Sequence, residues 1–360
     1  MSFKYLKGKE RKMFFNLKSI AKELNVSVST VSRVVNNKDN VNEETRARVL
    51  ELLNKYNYVP NEVARSLKNQ TTNMIGIIVP DITEGFFAQI IKGADQILTE
   101  NGYFLIFCDS NECEIKEKHY MELLFQKRVE ALVLATVSKN TKPLRMYIDN
   151  DIPVVFIDNL PNLSESYDAV LINNAKASAL AVQHLISNGH ERIAIIAGSQ
   201  SETTGYERLN GYIRTLKSNG IEVDEKLIKY GNYKDDSGYR CMKELIQNKR
   251  DCDFTAVYVT SEKMTLGALS AIREEGLCIP EDLAVAACDF HDKSGLIVPG
   301  ITTIVQPERE IGSLTADLII RRLKEKKFSV KETEQETAKQ TILLEPGLII
   351  KESSGTVYKR

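Results

Sequence analysis

Apolar residues change their spacing near residue 72 of the 360-residue chain. Before it the spacing is helical: Leu17, Ile20, Ala21 and Leu24 recur at i, i+3, i+4 and i+7. A second helix is predicted from Glu43 to about Tyr56, with Val49, Leu50, Leu52 and Leu53 as its apolar side and Asn42 as its N-cap. Pro60 breaks the chain, and "NEVARSLKNQTTN" (61–73) reads as a polar linker holding one short helix. Beyond it, apolar runs alternate with helix-length amphipathic stretches. The runs are "MIGIIVP" (74–80), "YFLIFCD" (103–109), "EALVLAT" (130–136), "IPVVFID" (152–158), "RIAIIAG" (192–198), "FTAVYVT" (254–260), "LAVAACD" (283–289) and "ITTIVQP" (301–307). Runs this short and this continuously apolar predict strands buried on both faces, and their alternation with helices predicts parallel, doubly wound sheets. The length exceeds what one open sheet holds, so two α/β lobes are expected. The charged stretch 324–340 reads as an exposed helix end and a loop.

The stretch "SVSTVSRVVNN" (27–37) is rich in valine and hydroxyl residues, which by propensity favours a strand. Its spacing argues otherwise. Strict alternation would put Arg33 on one face with Val31 and Val35. A helix instead turns Val31, Val34 and Val35 inward and Ser29, Ser32, Arg33 and Asn36 outward, with Ser27 as N-cap. With the helix before it and a short turn, this makes a helix-turn-helix. Short outward side chains let such a helix lie deep in a major groove about 12 Å wide, and Arg33 suits the O6/N7 edge of guanine. Hydroxyls and a helix N-terminus suit phosphate oxygens.

Charge sharpens this picture. The formal net charge is −1, but residues 1–72 hold fourteen Lys and Arg against seven Asp and Glu, +7, which leaves −8 for the rest. A basic head on a mildly acidic body points to a polyanionic partner for the head. No apolar run reaches the about 18–20 residues that span a membrane. The basic N-terminus lacks a following apolar segment, so no signal peptide is expected and the chain is expected in the cytoplasm. Six cysteines without C-x-x-C spacing and four scattered histidines predict free thiols and no metal site or cofactor. No G-x-S-x-G, P-loop or G-x-G-x-x-G occurs, so an enzyme is not expected.

From about residue 15 to the end the chain resembles the LacI/GalR-type transcriptional regulators. The motifs that carry the likeness, in order, are "SVSTVSRVVNN", "VNEETRARVL", "NYVPNEVARSLK", "NMIGIIVPDI", "HLISNGHERIAIIAG", "RLNGY", "LGALSAIRE", "IPEDLAV" and "ITTIVQP". Met13, just ahead of this stretch, is a second candidate for the start. The resemblance implies an all-α helix-turn-helix head (15–60), a hinge helix and linker (61–73), and an α/β two-lobed periplasmic-binding-protein-like body (74–360) that binds an effector and dimerises. In the head it implies base contacts by Val28, Ser29 and Arg33. Ser27, Thr30, Ser32 and Asn36 lie nearer the DNA backbone, and Thr45 and Tyr58 match phosphate-contacting positions. In the hinge, Asn61, Ala64 and Leu67 match positions that meet the minor groove, where Leu67 could wedge into a base step or pack on the body.

In the body the resemblance places an effector in the cleft, with Phe86 and Phe87 on its first loop and Tyr233 as an aromatic wall. Arg208 matches the effector-binding arginine, with a surface salt bridge as the other reading. Asp289 matches an acceptor of hydroxyl hydrogen bonds, and Gln306 lies on a lobe-crossing strand. The sequence departs from the family pattern at Glu84-Gly85, Asn173, Ser261-Glu262 and Phe290. Several of these positions are sugar-hydroxyl ligands in the family, so the departures bear on the ligand and not on the fold. "NGH" (188–190) reads as a helix stop, without a ligand role. The expected partners are operator DNA, a sugar-like or related metabolite, and a second copy of the chain. The alternative is a regulator switched by a protein co-regulator, with a vestigial cleft.

Overall fold

The computed structural model describes residues 16–36, 39–56, 58, 71–162, 167–248, 253–292, 295–329 and 338–355, the side chains of 327–329 excepted. The chain divides into two compact units, Met1–Thr71 and Thr72–Arg360. The first holds α1 (Leu17–Leu24), α2 (Val28–Val35) and α3 (Glu43–Lys55). Asn16, Ser27 and Asn42 cap the three helices, accepting from the amides of Ser19, Thr30 and Glu44. Asn25 ends α1 in the left-handed region (φ 53°), which turns the chain sharply into α2. Ile20, Ala21, Leu24, Val31, Val34 and Val49 form a small closed core, with Val35, Leu52 and Leu53 packed at its edge. That core holds α2 helical against the weak propensity of its valines. Leu50, expected on the apolar side, is 45% exposed. At 100° per residue it lies beyond the seam made by positions 49, 52 and 53.

The second unit contains two six-stranded sheets. In the first, the order is β11-β5-β4-β3-β1-β2. Its strands are β1 (Met74–Val79), β2 (Phe104–Asp109), β3 (Ala131–Leu134), β4 (Val154–Ile157), β5 (Asp168–Ile172) and β11 (Thr341–Leu344), all parallel. In the second the order is β12-β10-β9-β8-β6-β7. It is built from β6 (Ile193–Ala197), β7 (Ile228–Tyr230), β8 (Ala256–Val259), β9 (Ala284–Cys288), β10 (Thr302–Val305) and β12 (Gly347–Ile349). Only β12 runs antiparallel to its neighbour in that sheet. The body helices are α4 (Gly85–Glu100), α5 (Glu114–Gln126), α6 (Arg145–Ile148), α7 (Asn174–Ser187), α8 (Thr203–Ser218), α9 (Asp235–Gln247), α10 (Glu262–Glu274) and α11 (Glu308–Ser329). Each sheet is covered on both faces, giving four apolar clusters.

All eight apolar runs are strands, with one correction: the edge strand β2 is not buried on both faces. Phe104 and Phe107 are 66% and 55% exposed, since β2 has a neighbour on one side only. Two helix pairs cross at glycines with backbone against backbone. A Cβ on Gly93 (α4) would meet the Arg309 carbonyl oxygen of α11 at 2.2 Å, and one on Gly312 would meet that of Ile90 at 2.0 Å. Gly238 (α9) and Gly267 (α10) repeat the arrangement, with clashes at 2.1 and 1.9 Å.

The chain passes between the sheets three times: from β5 into α7, from β10 into α11, and from β11 into β12. Thus α11 follows a strand of the second sheet yet packs in the core of the first. A buried ion pair fastens it there. Arg322 Nε and Nη2 donate to the two Asp168 carboxylate oxygens at 2.9 and 2.7 Å, and Nη2 also reaches the Ala338 carbonyl at 2.8 Å.

Candidate functional site: a DNA-facing helix and an inter-lobe cleft

On the head, Ser27, Val28, Ser29, Arg33 and Asn36 are exposed along one side of α2, while Thr30 and Ser32 are half-buried. The hydroxyls gather at the helix start: Ser27 Oγ lies 2.7 Å from both Ser29 Oγ and Thr30 Oγ1. Asn36 Nδ2 donates to the Ser32 carbonyl at 2.6 Å, closing the helix. Thr45 and Tyr58 are half-buried, and Tyr58 packs against the head core. Val28 is an apolar side chain 41% exposed at the first turn of α2, which suits contact with a thymine methyl. Asn61, Ala64, Leu67 and the hinge helix lie outside the described residues. Arg33→Ala should remove about 1–3 kcal/mol of discrimination at one operator base pair. The check is titration of an operator obtained by in vitro selection and of its single-base variants; unchanged base preference would reject the readout role.

In the body a cavity of about 240 Å³ opens between the lobes. Nearly every side chain lining it follows the carboxyl end of a strand, the position where open α/β sheets bind ligands. Glu84 follows β1, Glu112 β2, Asp158 and Asn159 β4, Glu202 β6, Tyr233 and Lys234 β7, Ser261 and Glu262 β8, Asp289 β9 and Gln306 β10. Asp158, Tyr233 and Asp289 all hold left-handed backbones, with φ of 61°, 65° and 58°. Such conformations cost energy outside glycine and gather at functional sites.

Arg208, on α8, is 5% exposed, so it is not a surface ion pair. Its Nε donates to Asn174 Oδ1 at 2.8 Å and its Nη1 to the Thr260 carbonyl at 2.7 Å, leaving Nη2 directed at Asp289 Oδ2, 3.6 Å away. Gln306 Nε2 donates to the same Asp289 oxygen at 2.5 Å. The other carboxylate oxygen, Asp289 Oδ1, is buried and accepts no hydrogen bond. Phe86 and Phe87 line the cavity and also belong to the first lobe's core, their rings edge to face at 5.0 Å. Tyr233 packs so close to Gly198 that a Cβ there would meet its Cζ at 2.2 Å, and its hydroxyl sits 3.0 Å from Thr204 Oγ1. Ser261 lines the cavity while capping α10.

Asn173 does not line the cavity. It caps α7, accepting from the Lys176 amide at 3.0 Å, and reaches Glu345 at 3.3 Å. An N-cap side chain folds back over its own first turn, so the next residue, Asn174, is the one that reaches inward to Arg208. His190 is likewise structural, with its ring nitrogens 2.9 Å from Thr255 Oγ1 and from the Gly355 carbonyl.

Sequence reasoning missed Glu112, Asp158, Asn159 and Glu202. Their common signal is position, just past a strand end on the cleft side. Asn159 Nδ2 donates to Glu202 Oε2 at 2.8 Å, and its Oδ1 accepts from the Thr204 amide at 3.1 Å, tying one lobe to the other. Lys263–Asp81 and Lys234–Glu112 also pair across the cleft, the second at 3.5 Å. Burial pushes the Glu84 carboxyl up to about 8; Lys263 opposes this, while Asp158, Asp81 and Glu112 add to it. Burial and the Asp158 charge lift Glu202 to about 7, against the Asn159 hydrogen bond. Burial raises Asp158 to about 6 although Arg208 attracts its charge.

A helix-turn-helix head ahead of a two-lobed α/β body with a cavity between the lobes defines the class of DNA-binding transcription regulators with a periplasmic-binding-protein-like body. The comparisons agree. Residues 16–61 match the family of bacterial regulatory proteins, lacI family, and residues 72–344 match periplasmic binding proteins and the sugar binding domain of the LacI family. The HTH-type transcriptional repressor PurR of Vibrio atlanticus (strain LGP32) is 34% identical over 312 residues, 86% of this chain and 92% of that protein. The structure of the transcriptional regulator CelR–cellobiose complex matches with a TM-score of 0.70 and 30% identity, covering 94% of this chain and 99% of that one. The lac repressor dimer bound to operator and the anti-inducer ONPF shares the fold, with a TM-score of 0.82 at 24% identity over 95% of this chain and 99% of that one. The chain belongs to the LacI family of DNA-binding transcription regulators. Its relatives are regulators and not enzymes. Among the described residues no helix is long and apolar enough to cross a membrane.

Proposed function

We propose that this protein is a homodimeric repressor whose operator affinity is set by a small polar metabolite, a sugar or a related compound, held between the lobes of the body. The observation that carries the reading is the Arg208–Asp289–Gln306 array at the wall of the cavity, in which Asp289 Oδ1 is buried and unmet. A buried acceptor without a donor is costly, and a ligand hydroxyl or N–H would satisfy it. Two heads on a two-fold dimer present +7 each to a near-palindromic site. Because the chain crosses between lobes three times, a ligand that changes lobe closure changes how the dimer holds its heads. The 61–73 segment would transmit that change to DNA. The co-regulator alternative lacks a supporting observation: the cleft is open and lined with converging polar groups.

The test is a thermal-shift screen of sugars, nucleosides and other polar metabolites on the full chain. A cleft ligand stabilises by mass action, by about 2.7 kcal/mol at a hundred times its Kd. A hit should change operator affinity in a mobility-shift titration, and Asp289→Asn should weaken it. Hits that bind Asp289→Asn as well as the wild type would sink the cleft reading.

A further inference from the structure

The cleft has more acidic groups than its own cations can balance. Seven of its twenty lining side chains are carboxylates and two are cations. Those cations are committed: Arg208 to Asn174, the Thr260 carbonyl and Asp289, and Lys234 to Glu112. Lys263, nearby, is paired with Asp81. Glu84, Asp158 and Glu202, from β1, β4 and β6 loops, have no cation within 4.0 Å among the described residues. Asp158 and Glu202 are joined only through the Asn159 amide, at 3.2 and 2.8 Å. Beside them Asp289, 7% exposed, presents a carboxylate oxygen with no partner. Carboxyls held in a low-dielectric cleft either keep a proton or ionise against a counter-charge. Phe86 and Tyr233 line the same cavity, and aromatic rings attract cations as well. Among the described residues no three acidic, His or Cys side chains come together as a metal-holding group.

Taking the cleft as the effector site, we propose that its ligand is an organic cation: a polar metabolite bearing a protonated amine or amidine, seated between Glu84, Asp158, Glu202 and Asp289. The departure of this chain from its family at Glu84-Gly85 then has a purpose, since it brings a carboxylate to the cavity wall.

The proposal has a pH signature. Without ligand, Glu84, Glu202 and Asp158 titrate near 8, 7 and 6. The charged groups facing them are Asp81, Glu112, Glu114, Glu262, Asp289, Arg208, Lys234 and Lys263. A cation favours the ionised carboxylates, so its binding expels protons that the empty cleft holds at pH 6. Its affinity must therefore rise with pH, by about tenfold or more between pH 6 and 8, while an aliphatic amine stays protonated. A neutral polyol gains nothing from ionisation and should show a flat or falling profile.

The experiment uses the full chain and matched probes: putrescine against 1,4-butanediol, and a library of neutral sugars and nucleosides with counterparts that carry a primary amine on an alkyl arm, which stays protonated through pH 8. Binding is read by thermal shift and calorimetry at pH 6, 7 and 8. The expected result is that compounds losing affinity on Asp289→Asn are amines, that they bind about tenfold tighter or more at pH 8 than at pH 6, and that Glu84→Gln weakens them about tenfold and flattens the profile. Asp289-dependent binding confined to neutral compounds, with no rise in pH, overturns the cation and leaves the cleft as effector site. No Asp289-dependent binding from either half of the library overturns both.

Discussion

Arg208→Met abolishes the response of operator binding to effector and lowers the stability of the body by about 3–5 kcal/mol. Both effects come from one geometry. Arg208 and Asp289 have side chains 6% and 10% exposed, and the guanidinium also holds Asn174 and the Thr260 carbonyl. Removing the arginine leaves Asp289 as a buried carboxylate with the Gln306 amide and the weak Cys288 thiol as its donors. Burial already raises the Asp289 carboxyl, and loss of Arg208 raises it further. The deficit should therefore be largest at alkaline pH and shrink as pH falls through the new value and the group takes up a proton. Adding Asp289→Asn to Arg208→Met should recover much of the stability and none of the response. Denaturant unfolding at pH 6 and 8, with operator titrations with and without effector, separates the two. A single variant that keeps its effector response would remove Arg208 from the site.

Arg322→Leu should cost a similar amount, about 3–5 kcal/mol, without touching either binding surface. Asp168 is fully buried and takes two hydrogen bonds from Arg322 and one from the Gln340 amide at 2.8 Å. Lys339 Nζ, 3.7 Å away, is the only other cation near it among the described residues and is 43% exposed. The pair joins α11 to the start of β5, so its loss loosens the helix that carries the second lobe-to-lobe crossing. Asp168→Leu together with Arg322→Leu should regain most of the loss, because a buried ion pair is costly to break but cheap to replace with apolar volume. Urea midpoints of the three variants check this, with operator affinity in the native baseline expected to hold. A single variant as stable as the wild type would show that Lys339 suffices.

The places where sequence reading stopped follow from these same residues. β5 begins at Asp168, a charge inside a strand, and only a partner 154 residues away makes that charge tolerable. The short strands β7, β11 and β12 have three or four residues each and lie outside the long apolar runs. In the cleft, Arg208 and Asp289 were legible through likeness to a family. Asp158 and Glu202 were not, since nothing local distinguishes a carboxylate that ends a loop in water from one that ends a loop facing another lobe. Asn173 was misplaced for the same reason: it caps α7, and the adjacent Asn174, pointing the opposite way, holds Arg208.

By itself the sequence determined the elements. Period and capping set α1, α2 and α3, continuous apolar runs set eight strands, and the spacing of the valines set the exposed side of α2 that carries Arg33 among small side chains. These are short-range properties, dictated by 100° per helical residue, by cap chemistry and by which residues leave water. Tertiary structure alone decided the rest: that α11 returns to the first lobe, that glycines at 93 and 312 let two helices touch, and that acidic residues from β1, β4, β6 and β9 meet around one cavity. The physical reason is range. Burial and pairing energies depend on neighbours that the fold brings together from more than a hundred residues apart, and the charge of a cleft exists only once both lobes have closed their loops around it.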